Sequence, residues 1–94
     1  EEDAWDLICD LFYLQRDLFP QIRAGVRPGG IFAAAIPMID PRPGIHPMNS
    51  NFLTGPTELS AIFSDWEILY QREGPRRESS RAVSEIIARR PAIY

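Results

Sequence analysis

Two apolar runs, Trp5–Leu11 and Ile31–Ile36, bracket a single helix-length segment that ends at Pro28-Gly29-Gly30. Strand, helix, tight turn and strand in that order make the crossover unit of a parallel sheet, because parallel strands cannot be joined by a short hairpin. Parallel strands are buried on both faces, so the unit demands neighbours to cover it. The chain has 94 residues and supplies few. A domain this small buries only roughly 60 to 65% of its unfolded surface, so an exposed parallel edge would be a liability. The sequence therefore reads as part of a larger domain.

Trp5–Leu11 carries Leu7, Ile8, Cys9 and Leu11, with Asp10 near its end and Phe12, Tyr13 and Leu14 continuing into the next turn. From Gln15 the period changes. Leu14, Leu18, Ile22 and Val26 recur every four residues, opposite Arg16, Asp17, Gln21 and Arg23, which predicts an amphipathic helix of about three turns. Pro20 either kinks that helix or marks the first turn of one starting near Leu18. Gly25 is a C-terminal stop, and Pro28-Gly29-Gly30 turns the chain. In the second strand, Ala33, Ala34 and Ala35 would let a helix pack tightly or a ligand approach the sheet.

Residues 37–51 hold four prolines and form a loop; one this long in a small domain is usually functional or disordered. Pro56 then opens a short helix through Phe63, capped by Thr54 or Gly55, with Leu59, Ile62 and Phe63 inward. Trp66–Arg72 alternates, with Trp66, Ile68 and Tyr70 on one face. After a polar connection, residues 81–90 are open to helix or strand by periodicity. β-branched Val83, Ile86 and Ile87 favour a strand and hence an antiparallel hairpin. The expected class is α/β: a partial Rossmann-like sheet of two parallel strands with a crossover helix, then a short helix and a C-terminal hairpin.

A net charge of −3 argues against a nucleic-acid surface, and no apolar run approaches the roughly 20 residues of a membrane span. All ten basic residues are arginine. Arg76-Arg77 and Arg89-Arg90 read as solvated turn or strand ends rather than anion sites. The one cysteine, Cys9, excludes an internal disulfide and reads as a buried structural thiol. An acidic N-terminus is unlike a signal peptide, so a soluble, reducing, cytoplasmic setting is expected.

The segment Trp5-Asp6-Leu7-Ile8-Cys9-Asp10, the following helix, and Val26-Arg27-Pro28-Gly29-Gly30-Ile31-Phe32 resemble the C-terminal half of a class I S-adenosylmethionine-dependent methyltransferase. Asn49-Ser50-Asn51-Phe52-Leu53-Thr54-Gly55-Pro56-Thr57-Glu58-Leu59 and Phe63-Ser64-Asp65-Trp66-Glu67-Ile68-Leu69 resemble its tellurite-resistance-type branch. Residues 81–91 are similar to the closing strand of that fold. The resemblance implies the fourth to seventh strands of a seven-stranded, mostly parallel sheet, with residues 1–94 as the C-terminal portion of one domain. It also implies that the first three strands are absent, and with them the glycine-rich turn and the acidic residue that hold the cofactor. Gly29-Gly30 is no substitute, because a nucleotide-binding glycine loop follows a strand and opens a helix.

What the resemblance leaves to this chain is the other wall of the site. Ligands of open α/β sheets sit outside the carboxyl ends of the strands. Asp10, Leu11 and Phe12 are thus candidates to contact S-adenosylmethionine, and Tyr13, Pro37, Met38 and His46 to border a small-molecule substrate. For Asp10 a helix N-terminal charge is an equal alternative; for Phe12 and Tyr13 the alternative is packing. His46 is either a base or, more plainly, an exposed loop histidine. Methyl transfer gains mainly from positioning and desolvation, so no catalytic triad is required, and no catalytic residue is assigned. One His and one Cys make a metal site unexpected. The competing reading is a non-catalytic module that self-associates, as a homo-oligomer, or binds a partner through its sheet edge.

Overall fold

In the computed structural model, residues 2–12, 14–45, 49–77 and 80–92 are described. The elements are β1 (Trp5–Leu11), α1 (Phe19–Gly25), β2 (Val26–Pro37), α2 (Glu58–Ile62), β3 (Glu67–Pro75) and β4 (Ala82–Arg89), with 3-10 turns at Arg16–Leu18 and Ser50–Phe52. The four strands form one sheet in the order β1-β2-β4-β3. β1 and β2 are parallel, whereas β4 runs antiparallel to both β2 and β3. The hairpin's second strand is therefore inserted between its first strand and the crossover unit.

The expected helix is shorter than its periodicity suggested. Leu14 precedes it, Leu18 closes a 3-10 turn, and Val26 already begins β2. These positions still share a core, with Leu14 and Val26 both buried, so the four-residue recurrence records a common destination and not one helix. Pro20 lies in the first turn of α1, where a missing N–H leaves no intrahelical bond unmade.

Pro28-Gly29-Gly30 does not separate two elements but lies within β2 as a wide irregularity. Register passes from Trp5↔Val26 to Leu7↔Ile31, so five steps along β2 oppose two along β1. Gly29 has φ +81°, a left-handed conformation that suits glycine, and its N–H bonds the Arg90 carbonyl at 2.8 Å. At Gly30 a Cβ would meet Val26 Cγ1 at 2.8 Å, the Arg27 carbonyl oxygen at 2.9 Å and that of Asp6 at 3.0 Å. The bulge makes room for this close backbone approach.

α2 also differs in its start. Thr57, with φ +59°, is its N-cap and makes no side-chain cap bond; instead Glu58 reaches back to accept the Gly55 N–H at 2.9 Å. Leu59 and Phe63 are buried, and Ile62 packs partly buried against them. β3 begins at Glu67, leaving buried Trp66 before it, and a register shift between Ile68 and Tyr70 breaks the alternation at Leu69. β4 is a strand, as its β-branched residues indicated.

Both helices cover one face of the sheet. Phe32, Ala34 and Ile36 of β2, with Ile86 and Ala88 of β4, pack there against Phe19, Leu59 and Phe63. Phe32 and Phe63 stack at 4.8 Å between centroids; Phe19 and Trp66 meet Phe63 edge-on at 6.1 and 5.0 Å. Ala34 lies in this helix-covered layer, while Ala33 faces the other way. On that opposite face the register aligns Cys9, Ala33, Ile87 and Tyr70, and Cys9, Ile87 and Tyr70 are exposed. Cys9 is thus not a buried thiol. It sits on an edge strand with one free side and on the face no helix covers.

Candidate functional site at the carboxyl ends of the strands

β1 and β2 end side by side, and the chain leaves β1 sharply. Phe12 has φ +61°, and its N–H donates to the Ala35 carbonyl at 2.6 Å, which holds the ring at the tip of the parallel pair. The sequence candidates then divide between two places. Asp10 and Leu11 line a cavity of about 500 Å³ between the free edge of β1 and α1, shared with Trp5, Ile8, Leu18, Gln21 and Ile22. Asp10 is half-buried on the helix side, whereas Leu11 is exposed. Asp10 shares this cavity with Leu18, the N-cap of α1.

Phe12 and Pro37 come together in a second cavity of about 470 Å³, with Arg76, Arg77, Ser80, Arg81 and Val83. Met38 turns inward instead: it is buried and pairs with Thr54 in an isolated parallel bridge, so it does not border the cleft through its side chain. Its carbonyl accepts from Arg81 Nη1 at 3.4 Å. Tyr13 and His46 lie outside the described residues.

The wall of this second cleft is built by charge pairing. The Asp40 carboxylate, almost wholly enclosed, accepts Arg42 Nε at 2.9 Å, Arg42 Nη2 at 2.6 Å, the Arg42 N–H at 3.1 Å and the Ala82 N–H at 2.8 Å. Arg42 also donates to the Ser80 carbonyl at 2.6 Å. The Arg42 guanidinium, helped by the two backbone donors, holds the Asp40 carboxyl well below the usual carboxylate range despite its burial. This knot ties the proline-rich loop after β2 to the start of β4, which fixes Ser80 and Arg81 beside Pro37.

A second clamp lies on the helix side. Arg16 donates to Glu58 Oε2 at 2.6 Å and Oε1 at 2.9 Å, and to the carbonyls of Asn51 at 3.2 Å and Leu53 at 2.9 Å. The Arg16 side chain lowers the Glu58 carboxyl pKa. The turn after β1 is thereby bound to the segment before α2.

Sequence reading missed the arginines. Arg76 and Arg77 looked like a solvated turn, yet Arg76 stands 5.7 Å from the Phe12 ring centroid while donating to Glu85 Oε2 at 2.8 Å. No spacing rule links Phe12 to Arg76; only the insertion of β4 between β2 and β3 brings the hairpin connection over the end of β1. Among the described residues no group of three His, Cys, Asp or Glu side chains is placed to hold a metal. No described helix is long and apolar enough to cross a membrane, which says nothing of β-barrels.

A parallel crossover pair extended by an inserted antiparallel strand, with its concavity at the strand ends, is the Rossmann-like arrangement found in methyltransferases. Solved structures bear this out. TehB from Haemophilus influenzae matches at a TM-score of 0.70 and 17% identity over 96% of this chain. The 1,6-didemethyltoxoflavin-N1-methyltransferase of Burkholderia thailandensis, solved with 1,6-didemethyltoxoflavin and S-adenosylhomocysteine bound, matches at 0.63 and 18% identity over 97%. The chain spans 37% of the first protein's length and 46% of the second's. No family model matches the chain. No curated protein is significantly similar to it.

Proposed function

We propose that this chain is the C-terminal portion of an S-adenosylmethionine-dependent methyltransferase domain, acting on a small molecule in a reducing, cytoplasmic setting. The observation that carries the reading is the likeness of the fold to two solved proteins over 96% and 97% of the chain, one of which holds S-adenosylhomocysteine. On this reading the cavity of Asp10 and Leu11 faces the cofactor, and the cleft of Phe12 and Pro37 faces the methyl acceptor. The chain's part in the chemistry is positioning and exclusion of water around an in-line displacement. The glycine-rich turn and ribose-binding carboxylate would come from the preceding half of the domain, so the isolated chain binds the cofactor too weakly to measure.

The second reading, a self-associating or partner-binding module, is favoured by one observation. β1 is an edge strand whose Trp5, Leu7 and Leu11 are all more than half exposed. Light scattering and calorimetry on the 94-residue chain test both. The expected result is an oligomer that shows no heat with S-adenosylmethionine. Micromolar binding by the chain alone would overturn the division of labour, and a stable monomer would overturn self-association.

A further inference from the structure

Of the three described non-glycine residues with positive φ, Asp3, Phe12 and Thr57, only Phe12 is aromatic. A bulky side chain at φ +61° is a backbone outlier, a costly conformation that persists only where its surroundings enforce it. Burial does not enforce it here: Phe12 is 58% exposed, whereas Phe19, Phe32 and Phe63 are all buried. The ring is fixed by other contacts. The Phe12 N–H donates to the Ala35 carbonyl at 2.6 Å, and the Arg76 guanidinium lies over the ring, 5.7 Å from its centroid. Arg76 is held in turn, donating to Glu85 Oε2 at 2.8 Å while Arg72 Nη1 lies 3.4 Å from Oε1. Arg72 also donates to the Pro75 carbonyl at 2.8 Å, which ties down the backbone from which Arg76 projects.

An exposed ring on a strained backbone, oriented by a chain of ion pairs, contributes little to the core and presents a surface already set for a ligand. Its setting suits one. Pro37 and Val83 line the same cleft of about 470 Å³ at the strand tips, a volume within the range of small-molecule sites. The guanidinium over Phe12 draws on the negative face of the ring, so an electron-rich ring is favoured as the stacking partner. We infer that Phe12 is a stacking surface for a planar, electron-rich aromatic ring, and that Arg76, held by Glu85, is the residue that positions it. That this ring belongs to the methyl acceptor rests on the function proposed above; the stacking surface itself does not.

Phenol titrated into the 94-residue chain and followed by NMR tests the surface, with cyclohexanol as the matched probe that is not aromatic and nitrobenzene as the electron-poor ring. The expected result is phenol binding with Kd on the order of 1 mM, ring-current shifts on the phenol protons, and about threefold weaker binding of cyclohexanol. Nitrobenzene binds more weakly than phenol. Phe12→Leu keeps the apolar bulk and brings the phenol and cyclohexanol affinities together, with the thermal midpoint unchanged. Arg76→Gln leaves Phe12 in place and reduces the preference for phenol about twofold, and Arg76→Lys, which keeps the cation, recovers part of it. Equal binding of phenol and cyclohexanol by the parent chain, or an undiminished preference in Phe12→Leu, overturns the stacking surface. A preference untouched by Arg76→Gln overturns the positioning role, and tighter binding of nitrobenzene overturns the electron-rich assignment. None of these outcomes bears on cofactor binding, whose failure in a longer protein would remove the acceptor role and leave the stacking surface standing.

Discussion

Replacing Phe63 by leucine tests whether the aromatic cluster is what holds α2 and the approach to β3 onto the sheet. Phe63 is fully buried and touches three rings, stacked on Phe32 and edge-on to Phe19 and Trp66, with the Arg23 guanidinium 5.7 Å from its centroid. Leucine keeps most of the apolar area but is smaller, so the lost contact and residual space alone cost about 1 kcal/mol. Each ring pair adds about 0.5 to 1.5 kcal/mol beyond area, and pairs sharing one ring are not additive. The loss is therefore about 2 kcal/mol, which for a domain of this size lowers Tm by roughly 8 to 16 °C. Phe52, more than half exposed, is the internal control: Phe52→Leu stays within about 0.5 kcal/mol. Thermal unfolding followed by circular dichroism reads both. Equal shifts for the two variants, or a fall below about 3 °C for Phe63→Leu, would refute the packing argument.

Gly30→Ala drives a Cβ against two carbonyl oxygens and Val26, so it destabilises by about 1 to 3 kcal/mol in urea unfolding. For Asp40, the folded carboxyl has a depressed pKa, so its contribution is complete above the unfolded value near 4 and is lost as pH falls toward the folded one. Asp40→Asn is accordingly less stable than the parent at pH 7, and the gap narrows steadily below about pH 4. A gap that stays constant to acid pH would show that the Arg42 pairing is not its cause. Cys9 is exposed and reacts with a thiol reagent in the native chain when β1 is free; protection that rises with protein concentration reports pairing through this edge.

The parts of the fold that depend on local chemistry could be read directly. Trp5–Leu11 has the bounds its apolar run indicates, and Val83, Ile86 and Ile87 do make a strand. Pro20 does open a helix, one of the two roles left to it. What escaped depends on partners distant in sequence. The Pro28-Gly29-Gly30 turn is a bulge because β1 supplies only two residues opposite it, and Leu69 is displaced because β4 sets the register of β3. Cys9 is exposed although an apolar run implies two covered faces, because β1 is an edge with one face uncovered. The rule that ligands collect at strand ends picked out Asp10, Leu11, Phe12 and Pro37, and these line the two cavities there. Arg76, Arg77 and Arg81 were not picked out, since only the insertion of β4 between β2 and β3 brings them beside Phe12 and Pro37.

The central claim, that this chain is one wall of a cofactor site completed by the preceding half of the domain, is tested most directly by calorimetry. S-adenosylhomocysteine is titrated into the gene product extended upstream of Glu1, beside the 94-residue chain. The account predicts micromolar binding to the longer protein, weakened at least fivefold by Asp10→Ala, and no measurable heat with the chain alone. Binding by the chain alone, or none by the longer protein, would contradict it.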